Sequence, residues 1–196
     1  MKRVLLLIPH GAEVYETAAI IDVLGWASLE GCEKIDVVTA GLQPEVTCTF
    51  GLRLMPDALI GELDLEDFDA LAVPGGFEEF GFYEEAFSET VGDVIRAFDQ
   101  TSRPIASICV GALPVAHAGV LTGRCATTYH LGEGRRRKQL AEYDVEVLDQ
   151  PIVRDANILT STAPSTAIDV ALALVEILTD RSNANHIRAL MGFDAR

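Results

Sequence analysis

Short apolar runs closed by turn residues recur along this chain, and the stretches between them carry helical spacing. Residues 3–9 (RVLLLIP), 35–40 (IDVVTA), 69–73 (DALAV) and 104–109 (PIASIC) are such runs, rich in branched side chains. Their composition fits strands covered on both faces, the condition of a parallel sheet. Between them, residues 16–30 (ETAAIIDVLGWASLE) read as a helix with Gly31 at its C-cap, and 84–98 as an amphipathic helix. Residues 110–118 read as a helix despite Pro114, and 133–143 as a basic, exposed one. Ala167–Leu178 is a strong helix introduced by Pro164, which suits a first-turn position. Residues 46–54 suggest a small β-excursion and 124–128 a short strand, while 145–148 and 152–160 suggest a strand pair around Gln150-Pro151. Strand and helix alternate without a composition break. One α/β domain over residues 1–196 is expected, with a mostly parallel sheet.

Composition narrows the partners. Hydrophobic residues are 49% and charged ones 23%, so the chain has material for a core and is not disordered overall. Fifteen Lys and Arg stand against 30 Asp and Glu, a net charge of −15. Residues 54–95 alone carry twelve acids and no Lys or Arg. Such a surface repels phosphate backbones and anionic lipid, so neither nucleic acid nor membrane is expected as a partner. The first apolar run is too short for a signal peptide, and Ala167–Leu178 is interrupted by Asp169 and Glu176. The chain therefore reads as cytoplasmic, with reduced thiols. Its four cysteines form no CxxC pair and its four histidines add no ligand spacing, so no metal or disulfide framework is expected.

Open α/β sheets place ligands beyond the carboxyl ends of their strands. After the first strand comes HGAEVYE (10–16), after the third Pro74-Gly75-Gly76, and after the fourth Cys109-Val110-Gly111. A carboxylate, a glycine turn and a thiol thus share one rim. Cys109 stands where an apolar strand gives way to a helix, as a nucleophile does on a sharp elbow, and the helix dipole there favours a thiolate. The same position also suits a small buried hydrophobe. Glu16 either complements the dipole of the first helix, as Glu13 could, or points at the thiol. Gly75 and Gly76 allow close backbone approach and amide contacts to an anion, or simply a turn. Tyr129 and His130 follow a Thr-Thr pair and could reach the rim as proton-transfer partners. The run Arg135 to Lys138 reads as a surface helix face, with an anion or partner contact as the lesser alternative.

Taken together, GAEVYET (11–17), AVPGG (72–76), ASICVGALPVAHAG (106–119), ATTYH (126–130) and LTSTAPSTAIDVALALVEIL (159–178) resemble the ThiJ/PfpI superfamily, nearest its parkinsonism-associated deglycase branch. The resemblance spans essentially the whole chain. It implies a flavodoxin-like, doubly wound fold related to class I glutamine amidotransferase domains, and a homodimer. It implies that Cys109 is the elbow nucleophile, that Glu16 hydrogen-bonds it, and that the Gly76 and Val110 amides form an oxyanion hole. No cofactor is implied. The resemblance departs at one place: the branch commonly has histidine directly after the Thr-Thr pair, whereas here Tyr129 stands there and His130 one position later. The register favours Tyr129 as the residue at the matched position. The expected chemistry is cysteine-dependent attack on a small electrophile, such as a 2-oxoaldehyde. A redox-responsive or chaperone-like protein is the alternative, and amide or isonitrile hydrolysis a further one.

Overall fold

A computed structural model describes residues 1–193. The first run is strand β1 (Lys2–Leu7), whose Val4 to Leu7 are fully buried. Helix α1 (Val14–Glu30) follows, burying Glu16, Ala19, Ile20, Val23, Leu24 and Ala27 along one stripe, the three-and-four spacing of a core-facing helix. Strand β2 (Ile35–Gly41) lies parallel to β1. The excursion is a two-residue antiparallel pair, β3 (Val46–Thr47) with β4 (Arg53–Leu54), and the chain rejoins the sheet as β5 (Ala58–Leu59). Strand β6 (Ala70–Val73) pairs parallel with the other side of β1.

The expected helix 84–98 is two helices, α2 (Phe82–Ala86) and α3 (Glu89–Gln100). The break has a local cause: the Ser88 hydroxyl accepts from the Val91 amide at 3.4 Å and caps α3, so Ser88 cannot continue α2. Strand β7 (Ile105–Ser107) then leads through one tight turn, Cys109–Gly111, into α4 (Ala112–His117). The expected strand pair 145–148 with 152–160 does not form. Instead β8 (Cys125–Ala126), reached before α5 (Arg135–Ala141), pairs parallel with β9 (Glu146–Val147). The antiparallel hairpin lies further on, between β10 (Ile152–Asp155) and β11 (Ile158–Ser161), turning at Ala156 with φ +50°. Helix α6 (Ala167–Leu178) keeps its expected bounds, and α7 (Arg181–Leu190), unforeseen, is capped by the Asp180 carboxylate on the Asn183 amide at 2.9 Å.

The sheet order is β10-β11-β7-β6-β1-β2-β5, with β10 the single antiparallel member. Helices α1, α6 and α7 pack together, and α3 packs with α4. The architecture is the doubly wound, mostly parallel α/β sheet expected. No helix among the described residues is long and apolar enough to cross a membrane.

Candidate active site

From β1 the chain steps to β2 on one side and later returns to β6 on the other. Ligand sites of open sheets form at such a switch point. The two loops that leave β1 and β6 are stitched together there. The Glu13 amide donates to the Gly75 carbonyl at 2.8 Å and the Phe77 amide to the Gly11 carbonyl at 3.3 Å.

Cys109 sits one residue beyond fully extended Ile108 and has φ +55°, in the left-handed region. Holding a residue with a side chain there costs on the order of 1–3 kcal/mol and needs support from its surroundings. Two neighbours supply it. The buried Thr128 hydroxyl donates to the Cys109 carbonyl at 2.8 Å. Gly111 lies so close to β6 that an added Cβ would stand 2.6 Å from the Val73 carbonyl oxygen and 2.8 Å from that of Pro74. The elbow is therefore pressed against the strand beside it.

Glu16 is fully buried on the first turn of α1. Its Oε2 accepts from the Gly75 amide at 2.5 Å, while Oε1 is buried and has no nitrogen or oxygen hydrogen-bond partner among the described residues. The Cys109 thiol is the side chain beside this carboxyl. Burial pushes the Glu16 carboxyl up to about 8, and the Glu13 carboxylate adds to the effect against the opposing Gly75 amide. Glu16 is thus mainly protonated at neutral pH. Burial and the Glu16 charge both push the Cys109 thiol up, whereas the Val110 amide, which bonds the sulfur, pulls it down. Once Glu16 carries its proton the repulsion disappears, and the carboxyl becomes a donor able to support a thiolate.

The thiol faces a cavity of about 390 Å³. Gly76, Val110 and Tyr129 line it; Gly75 lies behind, its amide committed to Glu16. His130 is exposed and is not part of the wall, so the structure does not bring it to the thiol. Sequence reasoning overlooked several wall residues: Phe77, Glu79, Leu131, Arg136 and Ser165. Ser165 had a usable signal, since Pro164-Ser165 follows β11 at the same end of the sheet. Arg136 had none. The run that contains it reads as a solvated face, yet its side chain is only 13% exposed, lies over the Tyr83 ring at 5.1 Å and pairs with Glu78 at 2.9 Å.

A mostly parallel sheet carrying an elbow cysteine in the left-handed region against a buried carboxyl defines a flavodoxin-like cysteine-elbow protein. Comparison with known proteins makes this particular: a model of the DJ-1/PfpI family matches residues 2–177, and the chain belongs to that family, on its DJ-1 branch. It is 29% identical over 188 residues to protein dj-1beta of Drosophila melanogaster, covering 95% of this chain and 94% of the relative. It is 27% identical over 184 residues to the glutathione-independent glyoxalase DJR-1.2 of Caenorhabditis elegans, covering 93% and 91%. The crystal structure of Drosophila melanogaster DJ-1beta is similar with a TM-score of 0.87 at 28% identity, over 99% of each chain. Oxidised Toxoplasma gondii DJ-1 is similar with a TM-score of 0.85 at 26% identity, over all of both chains.

Proposed function

We propose that this DJ-1-type protein is a cysteine-dependent enzyme acting on a small reactive carbonyl, of the 2-oxoaldehyde class. The observation that carries the reading is the buried Glu16 carboxyl beside the Cys109 thiol, with Cys109 itself lining the cavity. The sulfur of Cys109 bonds to the carbonyl carbon, the carbonyl π pair moves to oxygen, and a hemithioacetal results. The thiol proton ends on that oxygen, and Glu16, with a carboxyl near 8, is suited to relay it. The Gly76 amide on the cavity wall and the Val110 amide at the sulfur are the donors proposed for the developing oxyanion, each worth roughly 2.7–4 kcal/mol where such donors have been removed. Tyr129 supplies a hydroxyl at the wall, while exposed His130 has no part in the step. The glyoxalase named among the relatives supports this reaction class. The homodimer implied by the resemblance is part of the same proposal, and sedimentation of dilute protein checks it.

Methylglyoxal consumption by the wild type that vanishes in Cys109→Ala is the expected result. Turnover that survives in Cys109→Ala removes the nucleophile. A second reading, oxidation of Cys109 in a redox-responsive or chaperone-like protein, is favoured by the oxidised state of the Toxoplasma gondii neighbour. Stoichiometric oxidation by peroxide with no carbonyl turnover selects it.

A further inference from the structure

The cavity wall carries three charged side chains in addition to the reacting pair: Glu13, Glu79 and Arg136. Their roles differ. The Arg136 guanidinium is already engaged, one nitrogen on Glu78 at 2.9 Å, another on Gln139 at 3.1 Å, and its carbon above the Tyr83 ring. Glu78 also takes Arg135 at 2.9 Å, so this positive cluster is tied to its own carboxylate. Glu13 holds the N-cap position of α1, yet its side chain makes no capping hydrogen bond. Glu79 stands on the exposed loop that leaves Gly76. Neither carboxylate is paired with a cation among the described residues. Beneath them the fully buried Glu16 leaves Oε1 without a nitrogen or oxygen partner among the described residues.

We propose that this cavity selects its electrophile by charge: Glu13 and Glu79 admit neutral and cationic molecules to Cys109 and exclude anionic ones. The inference rests on the cavity being the reactive site, and it goes further by naming the substrate class. Small 2-oxo acids and other carboxylate-bearing carbonyls are poor substrates, whereas neutral oxoaldehydes and carbonyls attached to a protonated amine are accepted. The remaining wall carries no charge and is largely apolar, with Phe77, Leu131, Val110 and Ala163 beside the hydroxyls of Tyr129 and Ser165. Arg136 does not reverse the preference: Glu78, shared by Arg135 and Arg136, leaves that cluster with one positive charge, against the two unpaired carboxylates of Glu13 and Glu79. The net charge of −15 acts in the same direction at longer range.

Charged thiol probes test this without requiring turnover. Two methanethiosulfonates of similar size, one with an ethyltrimethylammonium group and one with an ethylsulfonate, are reacted with the full chain at low salt. Labelling of the Cys109 peptide is timed by mass spectrometry, and each rate is divided by the probe's rate with free cysteine. The cation-to-anion ratio does not depend on the thiolate fraction, so a shift in Cys109 acidity cancels. A ratio of about tenfold or more is expected in the wild type, falling to within about twofold in Glu13→Gln/Glu79→Gln. Glu79→Gln alone, on an exposed loop, should lower it part of the way. A wild-type ratio near one, or an anion preference lost in Arg136→Met, overturns the proposal. So does a strong cation preference that the double substitution leaves unchanged, since that assigns it to the whole surface. Absence of methylglyoxal turnover refutes the proposed reaction without touching this result, and equal labelling beside active turnover refutes only the charge selection.

Discussion

At the residue scale, Glu16 couples function to stability. Its ordinary pKa is 4.5 and the fold raises it to about 8, so between those values the folded protein binds more protons than the unfolded chain. The stabilisation that protonated Glu16 provides is complete below 4.5 and is lost as pH rises through about 8. Glu16→Gln keeps a neutral, hydrogen-bonding side chain at every pH. Its melting temperature should therefore gain on the wild type between pH 5 and pH 9, and parallel melting curves across that range would remove Glu16 as a buried acid. The Tyr129-His130 departure is also decided by single residues. Tyr129→Phe should lower kcat/KM by about 0.5–1.5 kcal/mol, the worth of one hydrogen bond, with His130→Ala near wild type. A loss of a hundredfold or more in His130→Ala, with Tyr129→Phe unaffected, reverses the assignment.

At the scale of elements, the β7 elbow stands against β6 through Gly111, with no room for one methyl group. Gly111→Ala should cost about 1–3 kcal/mol by overpacking, read as a lower denaturant midpoint. It should also change the rate of Cys109 labelling, because the strand and the turn must separate. Unchanged stability and labelling would show that the contact is slack. Four of the parallel strands and α6 were legible in the amino-acid sequence, since strands covered on both faces are mostly apolar, as β1, β6 and β7 are, while β2 keeps the apolar character but leaves Asp36 exposed. Three features were not. The Ser88 cap competes with helix continuation only once Val91 is placed above it. Residues 152–161 hide a turn at Ala156, whose positive φ no glycine announces. Helix α7 is polar over much of its length, and Ala184 and Ile187 become buried only against α1 and α6.

Across the whole molecule, the charge imbalance acts on stability as well as on ligand entry. With −15 distributed over a chain of this size, repulsion favours expansion, and screening should relieve it. Raising sodium chloride from about 10 to about 150 mM should therefore raise the melting temperature. A fall would show that specific ion pairs, such as Arg124 with Asp99 at 2.9 Å, outweigh the general repulsion.

The amino-acid sequence by itself determined the class of sheet, the rim on which loops converge, and the cysteine at the end of an apolar strand. These follow from local patterning, because burial on both faces and a strand-to-helix turn each restrict residue type over a few neighbouring positions. Only the tertiary structure decided that Glu16 is dry and that Tyr129, not His130, lines the cavity. It alone also brought Glu13, Glu79 and Arg136, from three separate segments, to one wall. Desolvation and charge balance are sums over neighbours distant in the chain, and no local pattern carries such a sum.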